Sequence, residues 1–131
     1  MTLEQRSNLV LALARVLYVN GQATDQVIAA TSRLGTALGM RVSLAPRWGE
    51  LRLEAEERSE TRAFQIEAAP AGVDMDRVAA AMQAVQDVEA GRLDIDALPN
   101  AVAVISVRPP APTWLFTLAA ASTMPSPARA R

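Results

Sequence analysis

Residues 41–68 read RVSLAPRWGELRLEAEERSETRAFQIEA, and their hydrophobic pattern determines the fold class. Apolar and polar side chains alternate along three short runs, which is typical of strands that bury one face. The runs are joined by Pro46–Gly49 and Glu57–Glu60, both short enough for hairpins. The sequence therefore predicts a three-stranded antiparallel meander with one face in water. The side chains predicted to face inward are Val42, Leu44, Leu51, Leu53, Ala55, Phe64, Ile66 and Ala68.

A first helix is predicted from Thr2 to Val19, ahead of the strands. Thr2 and Gln5 have the spacing of a capping box, and Asn20-Gly21 supplies the residues that end a helix. Its apolar side chains recur at spacings of three and four, which predicts a buried stripe. That stripe consists of Leu9, Val10, Leu13, Val16 and Leu17.

A second helix follows after a short link and is predicted to pack antiparallel to the first. Thr24 or Asp25 is expected to cap it, and Gly39 to stop it just after Leu38. Gly35 inside it predicts a close approach of another backbone. The predicted buried seam is Val27, Thr31, Leu34 and Leu38.

Two more helices are predicted after the strands. Asp74 is expected to cap the third, which ends at Gly91. The fourth is expected to start at Asp94 or Asp96, with Pro99 in its first turn. The predicted inward side chains are Met75, Val78, Met82 and Val85 on the third helix, and Val102 and Ile105 on the fourth. The predicted class is thus α+β: two N-terminal helices, a three-stranded antiparallel meander, two C-terminal helices and a short apolar tail.

The pattern divides the chain into a domain at 1–107, a Pro-rich linker at 108–112 and a segment at 113–131. The uncharged run from Thr113 to Met124 has twelve residues, whereas a membrane-spanning helix needs about 18 or more. We interpret this segment as a truncated apolar run with a polar tail. Exposed apolar side chains in it would favour weak self-association.

Composition narrows the possible functions. The chain has 131 residues, a net charge of −1 and 13 basic residues, all Arg, without a basic run, so nucleic acid is not an expected partner. Cys, His and Lys are absent, which excludes thiol nucleophiles, Ser-His dyads, imidazole zinc sites and Schiff-base lysines. We therefore expect no enzyme, and no catalytic, cofactor or metal site.

Four side chains are candidates for partner contact: Arg47, Trp48, Trp114 and Phe116. A turn Trp beside an Arg is typical of binding interfaces, although Trp48 folding over the sheet edge is an equally good interpretation. The turn Asn20–Gln22 could line a small-molecule site, but a helix end explains it more simply.

Three carboxylates, Glu54, Glu56 and Glu67, are predicted on one face of adjacent strands. Such a group could serve acid-base chemistry or bind a hard cation. The favoured interpretation is a solvated sheet face. Its neutralising neighbours would be Arg41, Arg52 and Arg62.

The order of several short motifs resembles the soluble N-terminal domain of the threonine/serine exporter family over about residues 5–121. The motifs include Val19–Val27, Pro46–Leu51, Gly72–Met75, Gly91–Asp94 and the Pro-rich lead into Trp114. The resemblance implies a cytoplasmic domain, at the inner face of the cell membrane, that precedes a transmembrane bundle exporting threonine and serine with the proton motive force. It implies that bundle as partner, with this chain a scaffold or gate unable to transport alone. The alternative is a free-standing soluble module that binds a protein or a metabolite.

Overall fold

The computed structural model of the protein describes residues 1–107. The predicted linker at 108–112 and the segment at 113–131, with Trp114 and Phe116, lie outside the described residues. The elements, in chain order, are α1 (Leu3–Val19), α2 (Thr24–Ala37), β1 (Arg41–Arg47), β2 (Glu50–Glu57), β3 (Glu60–Glu67), α3 (Met75–Glu89), a 3-10 turn (Ile95–Ala97) and α4 (Leu98–Val107). The predicted α+β class is confirmed.

The three strands form an antiparallel sheet in the order β1-β2-β3, as predicted. Leu44, Leu53 and Phe64 lie side by side across it, on the face that packs against α1 and α2. On the same face Leu51, Leu53 and Ala55 of the central strand are fully buried. The alternation of apolar and polar residues therefore predicts the buried face of the sheet correctly.

Both hairpin connections are shorter than predicted. Pro46 and Arg47 belong to β1, where they pair with Leu51 and Glu50, so that only Trp48-Gly49 connects the strands. Likewise Glu57 pairs with Glu60, which leaves Arg58-Ser59 as the second turn. A proline is compatible with β1 because β1 is an edge strand, where a missing N–H need not interrupt the ladder.

α1 lies at the centre of the molecule, in contact with the sheet, with α2, and with α3 and α4. This explains why apolar residues occur nearly all round it: a helix covered on several sides buries more than one stripe. Among the side chains that are almost completely buried are Val10, Leu11, Leu13 and Leu17. The core therefore extends on both sides of α1.

The ends of α1 follow the expected chemistry, whereas the start of α2 does not. Thr2 and Gln5 form the predicted capping box, and Gly21 follows α1 with a φ of 96°. The cap predicted for α2 is wrong: the N-cap residue is Ala23, whose side chain offers no hydrogen bond, and Thr24 is the first helical residue. The seam predicted on α2 is buried as expected.

The approach predicted at Gly35 involves a side chain, whereas a backbone was expected. A Cβ on Gly35 would overlap the Cγ2 atom of Val42 on β1 and lie 3.0 Å from its Cγ1 atom. Glycine therefore allows α2 to lie close to the edge strand of the sheet.

α3 and α4 differ in detail from the prediction. Asp74 caps α3 by accepting a hydrogen bond from the Arg77 N–H, as expected, but Met75 is exposed and Met82 only half-buried. Asp94 precedes the 3-10 turn, so α4 starts later than predicted, with Pro99 in its first turn. The inward stripe of α3 is Val78, Ala81, Ala84, Val85 and Val88.

Candidate functional site

An open depression of about 600 Å³ lies where the C-terminal end of α2 meets the start of β1 and the β2–β3 turn. We call it the charged bay. It has side chains of both charge signs on its wall. The residues that line it are Thr36, Gly39, Met40, Arg41, Glu56, Glu57 and Arg58.

Arg6 of α1 supports one wall of the charged bay. Its Nη1 donates a hydrogen bond to the Leu38 carbonyl oxygen (2.9 Å), and its Nη2 donates to Oε1 of Glu57 (2.7 Å). The hydrogen bond from Arg6 holds the pKa of the Glu57 carboxyl below its ordinary value, against the opposing effect of desolvation. The Nε of Arg6 is buried and has no hydrogen-bond partner among the described residues. The pair thereby joins α1, the end of α2 and the end of β2.

The remaining charges of the bay are closer to solvent. Arg41 and Glu56 are cross-strand neighbours joined by an ion pair of 3.0 Å. Arg58 has a φ of 58°, and its charge adds to the lowering of the Glu57 pKa. An arrangement with guanidinium and carboxylate groups around one opening suits a ligand that carries both charges.

The three predicted carboxylates lie on one sheet face, but Glu67 is far from the other two. Glu54 lies opposite Ala63, whereas Glu67 lies opposite Glu50, which is four residues before Glu54 on β2. At roughly 3.3 Å per residue this separates Glu54 from Glu67 by about 13 Å, too far for shared acid-base work. Within residues 1–107 no group of three or more potential ligands could hold a metal ion.

Arg62, predicted to neutralise the carboxylates of the outer sheet face, belongs to the inner face. Arg62 pairs with Ala55, which points inward, and its guanidinium carbon lies 5.1 Å from the centre of the Phe64 ring. Arg41 does serve the outer face through its ion pair with Glu56. The outer face is therefore a mixed, solvated surface, in line with the favoured interpretation.

Comparison with protein families identifies the chain. The model of the threonine/serine exporter (ThrE) family matches residues 8–126. The chain belongs to the threonine/serine exporter family. The match confirms the resemblance and spans every element described above except the start of α1. No curated protein and no solved structure is significantly similar to the chain.

The exporter family consists of transporters, so its name gives no support to an enzymatic reading of the carboxylates. Within residues 1–107 of this member, no helix combines the length and apolar character that crossing a bilayer requires.

Trp48 of this exporter-family chain is 98% exposed at the tip of the β1–β2 hairpin, and Arg47 beside it is also exposed. The interpretation in which Trp48 folds over the sheet edge is therefore wrong, while partner contact stays a prediction.

The turn after α1 has a structural role. The Asn20 side chain donates to the Val16 carbonyl oxygen (2.8 Å), and the Gln22 N–H donates to that of Leu17 (3.0 Å). These hydrogen bonds satisfy the last carbonyl groups of α1. The turn therefore serves to end the helix, as expected from the sequence.

Sequence reasoning missed the charged bay. Arg6 and Glu57 are 51 residues apart, and each belongs to an element whose own pattern explains it as an exposed polar position. The sequence offered one local hint, the Arg58-Ser59 turn. Two-residue hairpin turns usually contain glycine because they need a positive φ, and this turn has none.

Proposed function

We propose that residues 1–107 form a cytoplasmic domain that works with the transmembrane helices of a threonine/serine exporter and does not itself move amino acids. The observation that carries the proposal is the family match, which begins inside α1 and continues through α4. Transport needs a path through the bilayer, and the described helices lack the length and apolar character to build one. The role left to this domain is to support or gate a bundle.

The experiment pairs the chain with an exporter of the family whose own extramembrane domain has been deleted. Threonine efflux is measured in cells that express the deleted exporter alone, this chain alone, or both. We expect efflux to be restored only by the combination, or by a fusion that places residues 1–107 ahead of the bundle. A fusion that folds but restores no efflux contradicts the proposal.

A second experiment tests the chain by itself. In proteoliposomes that hold only this chain, threonine and serine flux should equal that of empty vesicles. Flux above that background would contradict the proposal, because it would place a transport path in this chain.

A second candidate function, binding of a zwitterionic metabolite, is favoured by the charged bay. Its carboxylates suit an ammonium group, and its guanidinium groups suit a carboxylate. Equilibrium dialysis with labelled threonine tests this, and Glu57→Gln should weaken any binding. Glu60→Gln, the cross-strand neighbour outside the bay, is the matched control. Equal retention by both variants would exclude the bay as the site.

A further inference from the structure

An uncharged segment crosses one end of the molecule between β3 and α3. It consists of Ala68–Val73, with the sequence AAPAGV, and we call it the strap. Every strap residue after Ala68 is exposed, and the side chain of Val73 is 76% exposed. The strap therefore presents a surface without ionisable groups in a chain whose residues are 21% charged.

Three backbone hydrogen bonds fix the strap and its end in place. The Ala68 N–H donates to the Gly49 carbonyl oxygen (2.9 Å), and the Ala71 N–H donates to that of Val19 (3.1 Å). Asp74, just after the strap, donates its N–H to the Asn20 carbonyl oxygen (3.0 Å). The strap thus starts beside the β1–β2 turn and passes over the C-terminal end of α1.

Large apolar side chains lie at both ends of the strap. Trp48 is 98% exposed. It precedes Gly49, whose carbonyl oxygen accepts the hydrogen bond from the first residue of the strap. Met75, two residues after the strap, is 55% exposed. Other apolar side chains, such as Ile28 and Val104, are also exposed, but here Trp48 and Met75 flank an uncharged segment, and this combination makes the end of the molecule a candidate contact surface.

We propose that Trp48 and the strap lie against the interfacial region of an electrically neutral lipid bilayer. Trp prefers this region because its ring is apolar and its indole N–H is polar, and the neighbouring Arg47 can reach lipid phosphates. Trp48 projects from a two-residue turn and does not line the charged bay. A projecting apolar surface with a single cation beside Trp48 fits a fluid layer that adapts to it, whereas protein hot spots usually fill matching pockets.

The proposal rests on the proposed function only in placing the domain beside a membrane. Vesicle binding needs no exporter, and efflux by the fusion needs no lipid contact at Trp48. Each of the two ideas can therefore fail while the other is supported.

The test uses the full chain with Trp114→Phe, which leaves Trp48 as the single tryptophan. Phosphatidylcholine vesicles are added, and the emission of Trp48 is recorded with ordinary and with brominated lipids. We expect a blue shift on binding and quenching by bromine atoms placed near the head groups. The proposal is overturned if the chain does not float with the vesicles, or if it floats while the emission of Trp48 stays unshifted and is not quenched by bromolipids.

Vesicle flotation supplies the second measurement. Burying one large apolar side chain is worth about 1.5 kcal/mol or more, so Trp48→Ser should reduce the partition coefficient roughly tenfold. Val73→Ser should reduce it to a smaller extent. Val104→Ser is the matched control, since Val104 is an equally small apolar side chain, 55% exposed, on a different element, α4.

Two results would contradict lipid contact. One is an equal loss of binding in Trp48→Ser and Val104→Ser. The other is a Trp48 whose emission shifts only when the transmembrane part of an exporter is present in the vesicles, which would assign the surface to a protein partner. Circular dichroism of each variant shows that it is folded, as expected for exposed positions.

Discussion

At the scale of single residues, Arg58 holds an unfavourable backbone. Its φ of 58° lies in the left-handed region, which costs an L residue about 1 kcal/mol and glycine very little. Glycine also gains freedom in the unfolded chain, which offsets part of this relief, so we expect Arg58→Gly to raise the free energy of unfolding by less than about 1 kcal/mol in urea titrations. Ser59→Gly, at the next position of the turn, relieves no such strain and should be neutral or destabilising. If Arg58→Gly proves as destabilising as Ser59→Gly, the turn is not strained at Arg58.

Glu57 should make the stability of the domain depend on pH. Its pKa is lowered in the folded state by the hydrogen bond from Arg6, so folding is favoured when the carboxyl is ionised. This contribution is complete above the unfolded pKa of about 4.5 and is lost as the pH falls through the lower folded value. The difference in unfolding free energy between the unaltered chain and Glu57→Gln should therefore shrink from pH 6 to pH 3.

The control for this pH effect is Glu60→Gln. Glu60 is the cross-strand neighbour of Glu57 and has no ion-pair partner among residues 1–107. The pKa of Glu89 is also lowered, by its hydrogen bonds from Arg33, but that pair is present in all three proteins and cancels in the comparison. A Glu57→Gln difference that stays constant across the pH range would contradict the assignment.

At the scale of elements, the contact between α2 and β1 depends on Gly35. Alanine in a helix interior is favoured over glycine by about 1 kcal/mol, but here its Cβ would overlap Val42. Overpacking costs about 1–3 kcal/mol, so we expect Gly35→Ala to destabilise the domain despite the better helix propensity. In a Val42→Ala background the overlap with Cγ2 is removed and only a close contact with the remaining Cβ, at 3.2 Å, is left, so the same change should cost much less. A double-mutant cycle in urea measures this coupling, and additive effects would contradict it.

The elements also show what local sequence can reveal. Alternation identified the buried face of β2 because each strand side chain has only two possible directions, and the capping box identified the start of α1. The hairpin ends were harder, because Pro46 resembles a turn residue until β1 is known to be an edge strand. The start of α2 was missed since Ala23 offers no cap to recognise.

At the scale of the whole molecule, the charged bay illustrates what sequence pattern cannot give. The bay exists because α1, the end of α2 and the β2–β3 turn meet, and the Arg6–Glu57 pair spans 51 residues. The hydrophobic periodicity of the sequence does not predict this contact, because it depends on how the helices pack against the sheet. The strap is different: its lack of charge is visible in the sequence, but its position over the end of α1 is not.

The boundary of the folded domain gives the last prediction. The buried core of the described residues extends from Leu3 to Ile105. Deleting residues 109–131 should therefore leave the circular-dichroism spectrum and the urea midpoint unchanged, and should raise solubility because an uncharged run including Trp114 and Phe116 is removed. A lower or broader unfolding transition would show that the deleted residues contribute to the core.

Deleting residues 98–131 is the matched control, because it also removes α4 with its buried Leu98, Val102 and Ile105. Burial of each such side chain contributes about 1.5–3 kcal/mol, and domains of this kind are stable by about 5–15 kcal/mol in total. The longer deletion should therefore abolish cooperative unfolding or lower its midpoint severely. If neither deletion changes the unfolding transition, α4 is not part of the folding unit and the domain ends before Leu98. If only the longer deletion destabilises the protein, the folding unit includes α4 and ends with it.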